Sequence, residues 1–253
     1  MNELKFEVFN KTGEILRARF VRPINLMDNS PVVIMLTGDG PKGSNSPSWA
    51  NIAPRLASLG ITSLLFDFSG LGNSDGKREN LTLSKGIDDF SIIFEEIKHY
   101  SWIDPNKVAI MASSFGACVA LMCPSILNKC KAIGLKSPST FLPDAYFNEL
   151  TIEQFSEWNK TGFCEENGYR LSVFIDPFQY NVYAEVPKIK TKCLITHGNT
   201  DEVVPYQQSL YLKELMGGEV ELITFADGDH GYSGDKWEKM ANIFENFYKN
   251  ELL

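Results

Sequence analysis

Short apolar runs alternate with amphipathic stretches along most of the chain. Five runs are mostly apolar and lack strict polar alternation: 32–37, 61–66, 107–111, 131–135 and 191–196. Runs of this kind are typical of parallel strands that are buried on both faces. Between and after them lie helical patterns at roughly 48–59, 83–100, 115–127, 205–216 and 236–249. The alternation predicts an α/β fold with a mostly parallel sheet and helices on both faces.

Three further segments complete the predicted sheet. Residues 3–9 and 14–22 form an expected hairpin around the Lys11-Thr12-Gly13 turn, and residues 219–225 form the expected last strand. The sheet therefore has about eight strands, a usual number for a large sheet.

The alternation of strand and helix patterns stops between residues 137 and 187, where aromatic and turn residues dominate. So long an interruption of an α/β fold is usually a functional insertion. Because ligands bind at the carboxyl edge of such sheets, we expect 137–187 to form a short lid over that edge. Residues 1–136 and 188–253 would then form the core domain. The alternative is a surface insertion that only packs on the core.

Composition and charge narrow the classes of function. The chain has 253 residues, 24 Lys+Arg and 32 Asp+Glu, and its net charge is −8. This acidic balance argues against a nucleic-acid partner, which would need a basic patch. No apolar stretch approaches the roughly 20 residues that span a bilayer, and the first residues lack a signal-peptide pattern. We therefore expect a cytoplasmic protein without a membrane span. The five cysteines favour buried free thiols, because their number is odd and no close CxxC pair exists.

A candidate nucleophile follows the run 107–111. Ser114 lies in Ala112-Ser113-Ser114-Phe115-Gly116, which fits the nucleophile elbow G-x-S-x-G except that alanine replaces the first glycine. Small neighbours are needed because the strand-to-helix turn is tight. The backbone N–H of Phe115 would then be one oxyanion donor. The alternative for Ser114 is a helix N-cap, and Ser113 is expected to be structural.

The candidate acid and base follow the nucleophile in chain order. Elbow enzymes order their triads as Ser, then Asp or Glu, then His. Asp201 follows the run 191–196 and His230 follows the run 219–225, so both lie where a strand ends. Carboxyl ends of parallel strands meet at one edge, so Ser114, Asp201 and His230 are expected to converge there. Ser114 would attack, His230 would take its proton and Asp201 would orient the imidazole.

Other histidines and acids compete less well for these roles. His197 comes before the acid loop and is expected to be a structural hydrogen-bonding residue. Asp227 and Asp229 lie too near His230 in sequence to come from a separate strand. Asp176, inside the interruption, is a weaker rival acid. His99 lies near a helix end and is expected to be solvated.

A glycine-rich loop follows the run 32–37. Residues 37–44 read T-G-D-G-P-K-G-S, and a loop at this point supplies the second oxyanion donor of the elbow enzymes. We expect the backbone N–H of Asp39 to be this donor. Its carboxylate should point away, because a negative charge beside an oxyanion is unfavourable. The alternative is an ordinary glycine turn, and no phosphate-loop motif is present.

With these motifs the sequence resembles the α/β-hydrolase family, and most of all its short-lid serine esterases. These include cinnamoyl (feruloyl) esterases and serine aminopeptidase-like hydrolases. Residues 67–76, D-F-S-G-L-G-N-S-D-G, are typical of that group, and Asp67 and Ser74 there would brace the loop. The sequence departs from the family at Thr37, where histidine is usual, and at Ala112, where glycine is usual.

The resemblance and the triad together predict a carboxylic ester hydrolase that works through an acyl-enzyme on Ser114. A small-molecule ester or acyl compound would be the substrate, and no metal or organic cofactor is implied. A thioesterase or small peptidase could use the same triad. A catalytically silent member that acts as a binding module is the alternative from another class.

Overall fold

The computed structural model describes residues 1–25 and 28–253. In chain order, its strands are β1 (Asn2–Phe9), β2 (Ile15–Arg22), β3 (Ser30–Leu36), β4 (Thr62–Phe66), β5 (Ile103–Ser114), β6 (Ala132–Pro138), β7 (Phe163–Cys164), β8 (Tyr169–Arg170), β9 (Cys193–Gly198) and β10 (Val220–Phe225). Eight of them form one sheet in the order β1-β2-β4-β3-β5-β6-β9-β10, and β7 pairs with β8 separately. The strand β2 is antiparallel to β1 and β4, and the remaining pairs of the large sheet are parallel. The predicted fold class is confirmed.

Helices cover both faces of the sheet. They are α1 (Pro47–Ser58), α2 (Leu83–Glu96), α3 (Phe115–Leu121), α4 (Pro124–Leu127), α5 (Leu142–Glu149), α6 (Ile152–Thr161), α7 (Leu171–Ile175), α8 (Val182–Glu185), α9 (Gln207–Leu215) and α10 (Lys236–Leu252). The apolar sides of α1 and α10 pack on one face, and those of α2, α3 and α9 pack on the other.

The strand β3 shows why the buried runs lack alternation. Val32 and Ile34 belong to the core on one side of the sheet, whereas Val33 and Met35 belong to the core on the other. Successive side chains of a strand point to opposite faces, so burial on both faces requires apolar residues at every position.

Two predicted helices are shorter or divided in the structure. The expected helix 115–127 ends at Leu121, and a second helix begins at Pro124. Proline has no N–H to donate and favours the first position of a helix, so it starts a new one. The expected helix 83–100 ends at Glu96 and continues as a short 3₁₀ turn, Ile97–His99.

The segment 137–187 is more regular than its sequence suggested. It begins with the last two residues of β6 and then contains α5, α6, the β7–β8 hairpin, α7 and α8. A capping box between Thr151 and Gln154 starts α6. The buried Trp158 packs edge-on against Tyr146, with 5.6 Å between ring centroids. The segment therefore has its own small aromatic core, which short helices can share without a long amphipathic repeat.

The cysteines behave as the sequence predicted. All five are free and buried. Burial raises the pKa of the Cys118 thiol to about 12, so this thiol stays protonated. In the described ranges, no helix combines the length and the apolar character that a membrane span needs.

Candidate active site

Ser114 occupies a strained turn between β5 and α3. Its φ is +50° and its ψ is −117°, a conformation that costs energy for any residue other than glycine. Gly116 makes the turn possible, because a Cβ there would overlap the carbonyl oxygens of Leu36 and Thr37. Ala112 is fully buried. The geometry matches that of a nucleophile elbow.

The structure brings Asp201 and His230 together. Nδ1 of His230 lies 2.7 Å from Oδ2 of Asp201. The Asp201 side chain is fully buried, whereas the His230 side chain is 25% exposed. A buried carboxylate that accepts from Nδ1 leaves the other ring nitrogen of His230 free for proton transfer.

Hydrogen bonds hold the Asp201 carboxyl in its ionised form. Burial by itself would raise its pKa, but hydrogen bonds from His197 and His230 outweigh burial and hold the pKa well below its usual range. The backbone N–H groups of Val203 and Val204 each donate to Oδ1 at 2.9 Å. Asp201 is therefore ionised, and backbone N–H groups of its own loop stabilise the negative charge.

Hydrogen bonds and a close backbone contact join the acid loop to the histidine loop. The Thr200 hydroxyl donates to the carbonyl oxygen of Gly228 at 3.0 Å, and the Asp227 N–H donates to the Asn199 side chain at 2.8 Å. Gly198 and Gly228 touch so closely that a Cβ on Gly198 would overlap the Gly228 carbonyl. These contacts fix the distance between the two loops, and with it the distance between Asp201 and His230.

His197 supports the carboxylate from its other side. Its Nε2 lies 3.1 Å from both Oδ2 of Asp201 and the carbonyl oxygen of Val204. Because both are acceptors, this nitrogen must carry the proton, and Nδ1 then accepts from the Ser209 hydroxyl at 2.6 Å. His197 is fully buried, and its contacts agree with the predicted structural role.

The rival acids have other partners. Asp176 accepts from the Ser84 N–H at 2.9 Å and thereby joins the segment 137–187 to α2. Asp229 accepts from the Ser233 N–H at 2.8 Å.

One cavity of about 420 Å³ includes both Ser114 and His230 in its walls. Gly38 and Asp39 also line it, together with Trp49 at the start of α1. A Cβ built on Gly38 would stand 3.5 Å from the Ser114 Cβ, so the glycine loop passes directly over the serine. Phe115 is the first residue of α3, a position where the backbone N–H has no partner within the helix. Both expected oxyanion donors therefore flank Ser114.

Buried hydrogen bonds brace the glycine loop. Asp67, which is 1% exposed, accepts from the Ser44 N–H at 2.7 Å and the Asn73 N–H at 2.9 Å. The Ser74 hydroxyl donates to the Asp67 carbonyl oxygen at 2.6 Å. Thr37 donates its hydroxyl to the Gly38 carbonyl oxygen at 2.9 Å. The bracing role predicted for Asp67 and Ser74 agrees with these contacts.

Asp39 is bound by two residues that the sequence reasoning missed. Tyr169 donates its hydroxyl to Oδ2 of Asp39 at 2.6 Å, and Arg78 donates Nε–H to the Asp39 carbonyl oxygen at 2.9 Å. Neither residue lies near Asp39 in the chain, so no local pattern could have identified the contact.

Lys136 is a third residue that the sequence reasoning missed. It lines the cavity, is 7% exposed and donates Nζ–H to the His230 carbonyl oxygen at 3.1 Å. Its ammonium also lies 4.9 Å from the centroid of the Tyr232 ring. Burial lowers its pKa to about 8, although Asp201 and Asp229 oppose this shift. The one available signal was a lysine directly after the apolar run 131–135. Across the described residues, no cluster of three or more His, Cys, Asp or Glu side chains could hold a metal ion.

Comparison with known proteins adds both sequence and structural relatives. The chain is 27% identical over 224 residues to the mitochondrial palmitoyl-protein thioesterase ABHD10 of Bos taurus, covering 81% of this chain and 68% of that one. It spans 58% of the length of the human protein of the same name.

Two solved structures share the fold. Est1E from Butyrivibrio proteoclasticus, solved with ferulic acid, has a TM-score of 0.86 at 22% identity and covers 97% of this chain and 98% of its own. Mouse α/β-hydrolase domain-containing protein 10 has a TM-score of 0.78 at 19% identity and covers 98% and 99% of the two chains.

A family model provides the assignment. Residues 55–252 match the model of the prolyl oligopeptidase family, which is well over half of the chain. This match includes β5, β9 and β10, after which Ser114, Asp201 and His230 lie. The chain therefore belongs to the prolyl oligopeptidase family, within the α/β-hydrolase fold.

Proposed function

We propose that this protein is a serine hydrolase that cleaves carboxylic esters through an acyl-enzyme on Ser114. The observation that carries the proposal is the 2.7 Å hydrogen bond between a buried, ionised Asp201 and His230, which shares a cavity with the strained Ser114. Such a set needs no cofactor, because the serine, the imidazole and the carboxylate supply the nucleophile, the base and its orienting group.

Acylation begins when the Ser114 hydroxyl attacks the ester carbonyl. His230 takes the hydroxyl proton, and the imidazolium that forms is stabilised by the Asp201 carboxylate. The carbonyl oxygen becomes an oxyanion that accepts from the N–H groups of Asp39 and Phe115. The tetrahedral intermediate then collapses, the C–O bond to the alcohol breaks, and His230 returns the proton to the leaving oxygen.

Deacylation repeats these steps with water. His230 removes a proton from the water that attacks the acyl-enzyme, and the same two N–H groups bind the second oxyanion. Collapse breaks the bond to Ser114 Oγ, which takes the proton back from His230. The products are a carboxylic acid and an alcohol.

We further propose that the segment 137–187 acts as a lid that selects the acyl group. Its aromatic core includes Phe147, Phe174 and Phe178, and Phe147 and Phe178 are 53% and 56% exposed. Apolar surfaces of this kind favour substrates with aromatic or alkyl groups.

A thioesterase is the second candidate, and the sequence relationship favours it. The mammalian relatives that align with this chain are named as palmitoyl-protein thioesterases. A thiolate leaves more readily than an alkoxide, so the same triad serves both substrates. A small peptidase would need the lid to admit an amide. The cytoplasmic location stays a prediction.

The test is a hydrolysis screen of the purified chain with p-nitrophenyl esters of increasing length, methyl ferulate, palmitoyl-CoA and an aminoacyl anilide. The variants are Ser114→Ala and, as a matched control, Ser113→Ala. We expect ester turnover that Ser114→Ala lowers by about 10⁴-fold or more, whereas Ser113→Ala stays within about threefold of wild type.

A fluorophosphonate probe gives an independent measurement. Peptide mass spectrometry should find the adduct on Ser114 and on no other residue. No turnover on any substrate together with no labelling would overturn the proposal and favour a catalytically silent binding protein. A preference for palmitoyl-CoA over p-nitrophenyl palmitate would favour the thioesterase.

A further inference from the structure

The Asp39 carboxylate creates an electrostatic problem next to the expected oxyanion hole. The N–H of the same residue is the proposed donor to the oxyanion, so two negative charges would face each other across one residue. Tyr169 relieves this problem because its hydroxyl donates to Oδ2 of Asp39 at 2.6 Å. Burial, together with the charge of Asp39, raises the pKa of Tyr169 well above its usual value, so the hydroxyl stays a donor.

Arg78 completes the arrangement from the core domain. Its Nε–H donates to the Asp39 carbonyl oxygen at 2.9 Å, and its guanidinium lies over the Tyr169 ring at 4.2 Å from the centroid. The same guanidinium also donates to the carbonyl oxygen of Asn167 in the β7–β8 hairpin. One cation therefore binds the glycine loop and the hairpin at once.

We propose that Arg78 and Tyr169 are positioning residues that hold the Asp39 N–H in the oxyanion hole while the β7–β8 hairpin is docked. This inference rests on the proposed function. The side chain and the carbonyl of Asp39 are both anchored, which restricts rotation about the backbone bonds of this residue. The positive charge of Arg78 also offsets the carboxylate beside the developing oxyanion.

The structure provides a control for docking of the hairpin alone. Arg170, which follows Tyr169, donates to Oε1 of Glu79 through Nε at 3.1 Å and Nη2 at 3.0 Å. This ion pair also joins the hairpin to the segment that holds Arg78, but it makes no contact with Asp39. Its loss removes one docking contact but leaves both contacts of Asp39 in place.

The experiment compares Tyr169→Phe, Arg78→Gln and Arg170→Gln with one p-nitrophenyl ester. For Tyr169→Phe and Arg78→Gln we expect kcat to fall by about 10-fold to 100-fold, less than the loss of a whole oxyanion donor, with KM within about threefold. Arg170→Gln should leave both constants within about threefold. The Ki of a trifluoromethyl ketone, which mimics the tetrahedral intermediate, should rise by the same factor as kcat falls.

A second substitution tests the electrostatic part. Adding Asp39→Asn to Tyr169→Phe removes the carboxylate charge that has lost its hydroxyl donor, and it should restore part of the lost kcat. The inference is overturned if the Tyr169→Phe and Arg78→Gln values match those of Arg170→Gln, or if only KM changes. Its failure differs from that of the proposed function, which would appear as turnover that survives Ser114→Ala or as the absence of both turnover and probe labelling.

Discussion

The strand-end loops and the segment 137–187 both reach the site around Ser114, but they do so by different means. The strand-end loops use the backbone: the N–H groups of Val203 and Val204 hold Asp201, and the Thr200 N–H donates to the Gly228 carbonyl oxygen at 3.2 Å. The β7–β8 hairpin of the segment 137–187 reaches the glycine loop through a side chain, because the Tyr169 hydroxyl binds Asp39.

The two regions therefore differ in how far their contacts depend on single side chains. Backbone contacts depend little on which side chains a loop carries, so the distance between Asp201 and His230 is secured by the fold. A side-chain contact from an insertion depends on single residues and on docking. We infer that the strand-end loops provide the reaction, whereas the segment 137–187 sets its efficiency and its choice of substrate.

The largest expected effect is tested by replacing one aspartate in each of the two regions with asparagine. Asp201→Asn should lower kcat/KM by about 10³-fold, because an asparagine would favour the wrong tautomer of His230. Asp176→Asn, the matched change in the segment 137–187, should stay within about threefold of wild type. Turnover of p-nitrophenyl ester by both purified variants, with circular dichroism to check folding, measures the difference. The comparison breaks if Asp176→Asn loses most of the activity.

A smaller effect is expected from Lys136, the buried cation of β6 that contacts the histidine loop. Burial lowers the pKa of Lys136 from 10.5 to about 8. Between about pH 8 and pH 10.5, the unfolded chain therefore binds this proton more tightly than the folded one, and Lys136 becomes less destabilising as pH rises.

The measurement is the free energy of unfolding in urea at pH 7 and pH 10. Lys136→Met should be more stable than the wild-type protein at pH 7. The difference between their free energies of unfolding should shrink by up to about 3 kcal/mol at pH 10. Lys131 is an exposed lysine directly before β6, and Lys131→Met serves as the control. Its effect on the free energy of unfolding should depend little on pH. An advantage that stays constant with pH would show that the charge of Lys136 is not buried.

The smallest expected effect concerns the length of the substrate's acyl chain. Phe147→Ser or Phe178→Ser should lower kcat/KM for long-chain p-nitrophenyl esters by about fivefold, since each removes apolar surface worth roughly 1 kcal/mol, and should leave the acetyl ester unchanged. Phe9→Ser is the control, because Phe9 is also exposed, at 71%, but lies at the end of the edge strand β1. Equal losses for short and long esters would argue against selection by this segment.

The sequence located the candidate triad because each of its residues directly follows a predicted strand. The elements themselves were visible, since burial on both faces leaves a continuous apolar run. The boundaries were less accurate, as at Pro124, where one predicted helix is two. The segment 137–187 gave no periodic signal because its helices are short and share an aromatic core around Trp158.

The sequence by itself determined the fold class and the order of Ser114, Asp201 and His230, because hydrophobic period and strand-end position are properties of neighbouring residues. Only the tertiary structure decided how Asp39 is held. Its partners Tyr169 and Arg78 lie 130 and 39 residues away along the chain. It also decided that Lys136 is buried beside His230. Contacts of this kind depend on how distant elements pack, and no local pattern of residues encodes them.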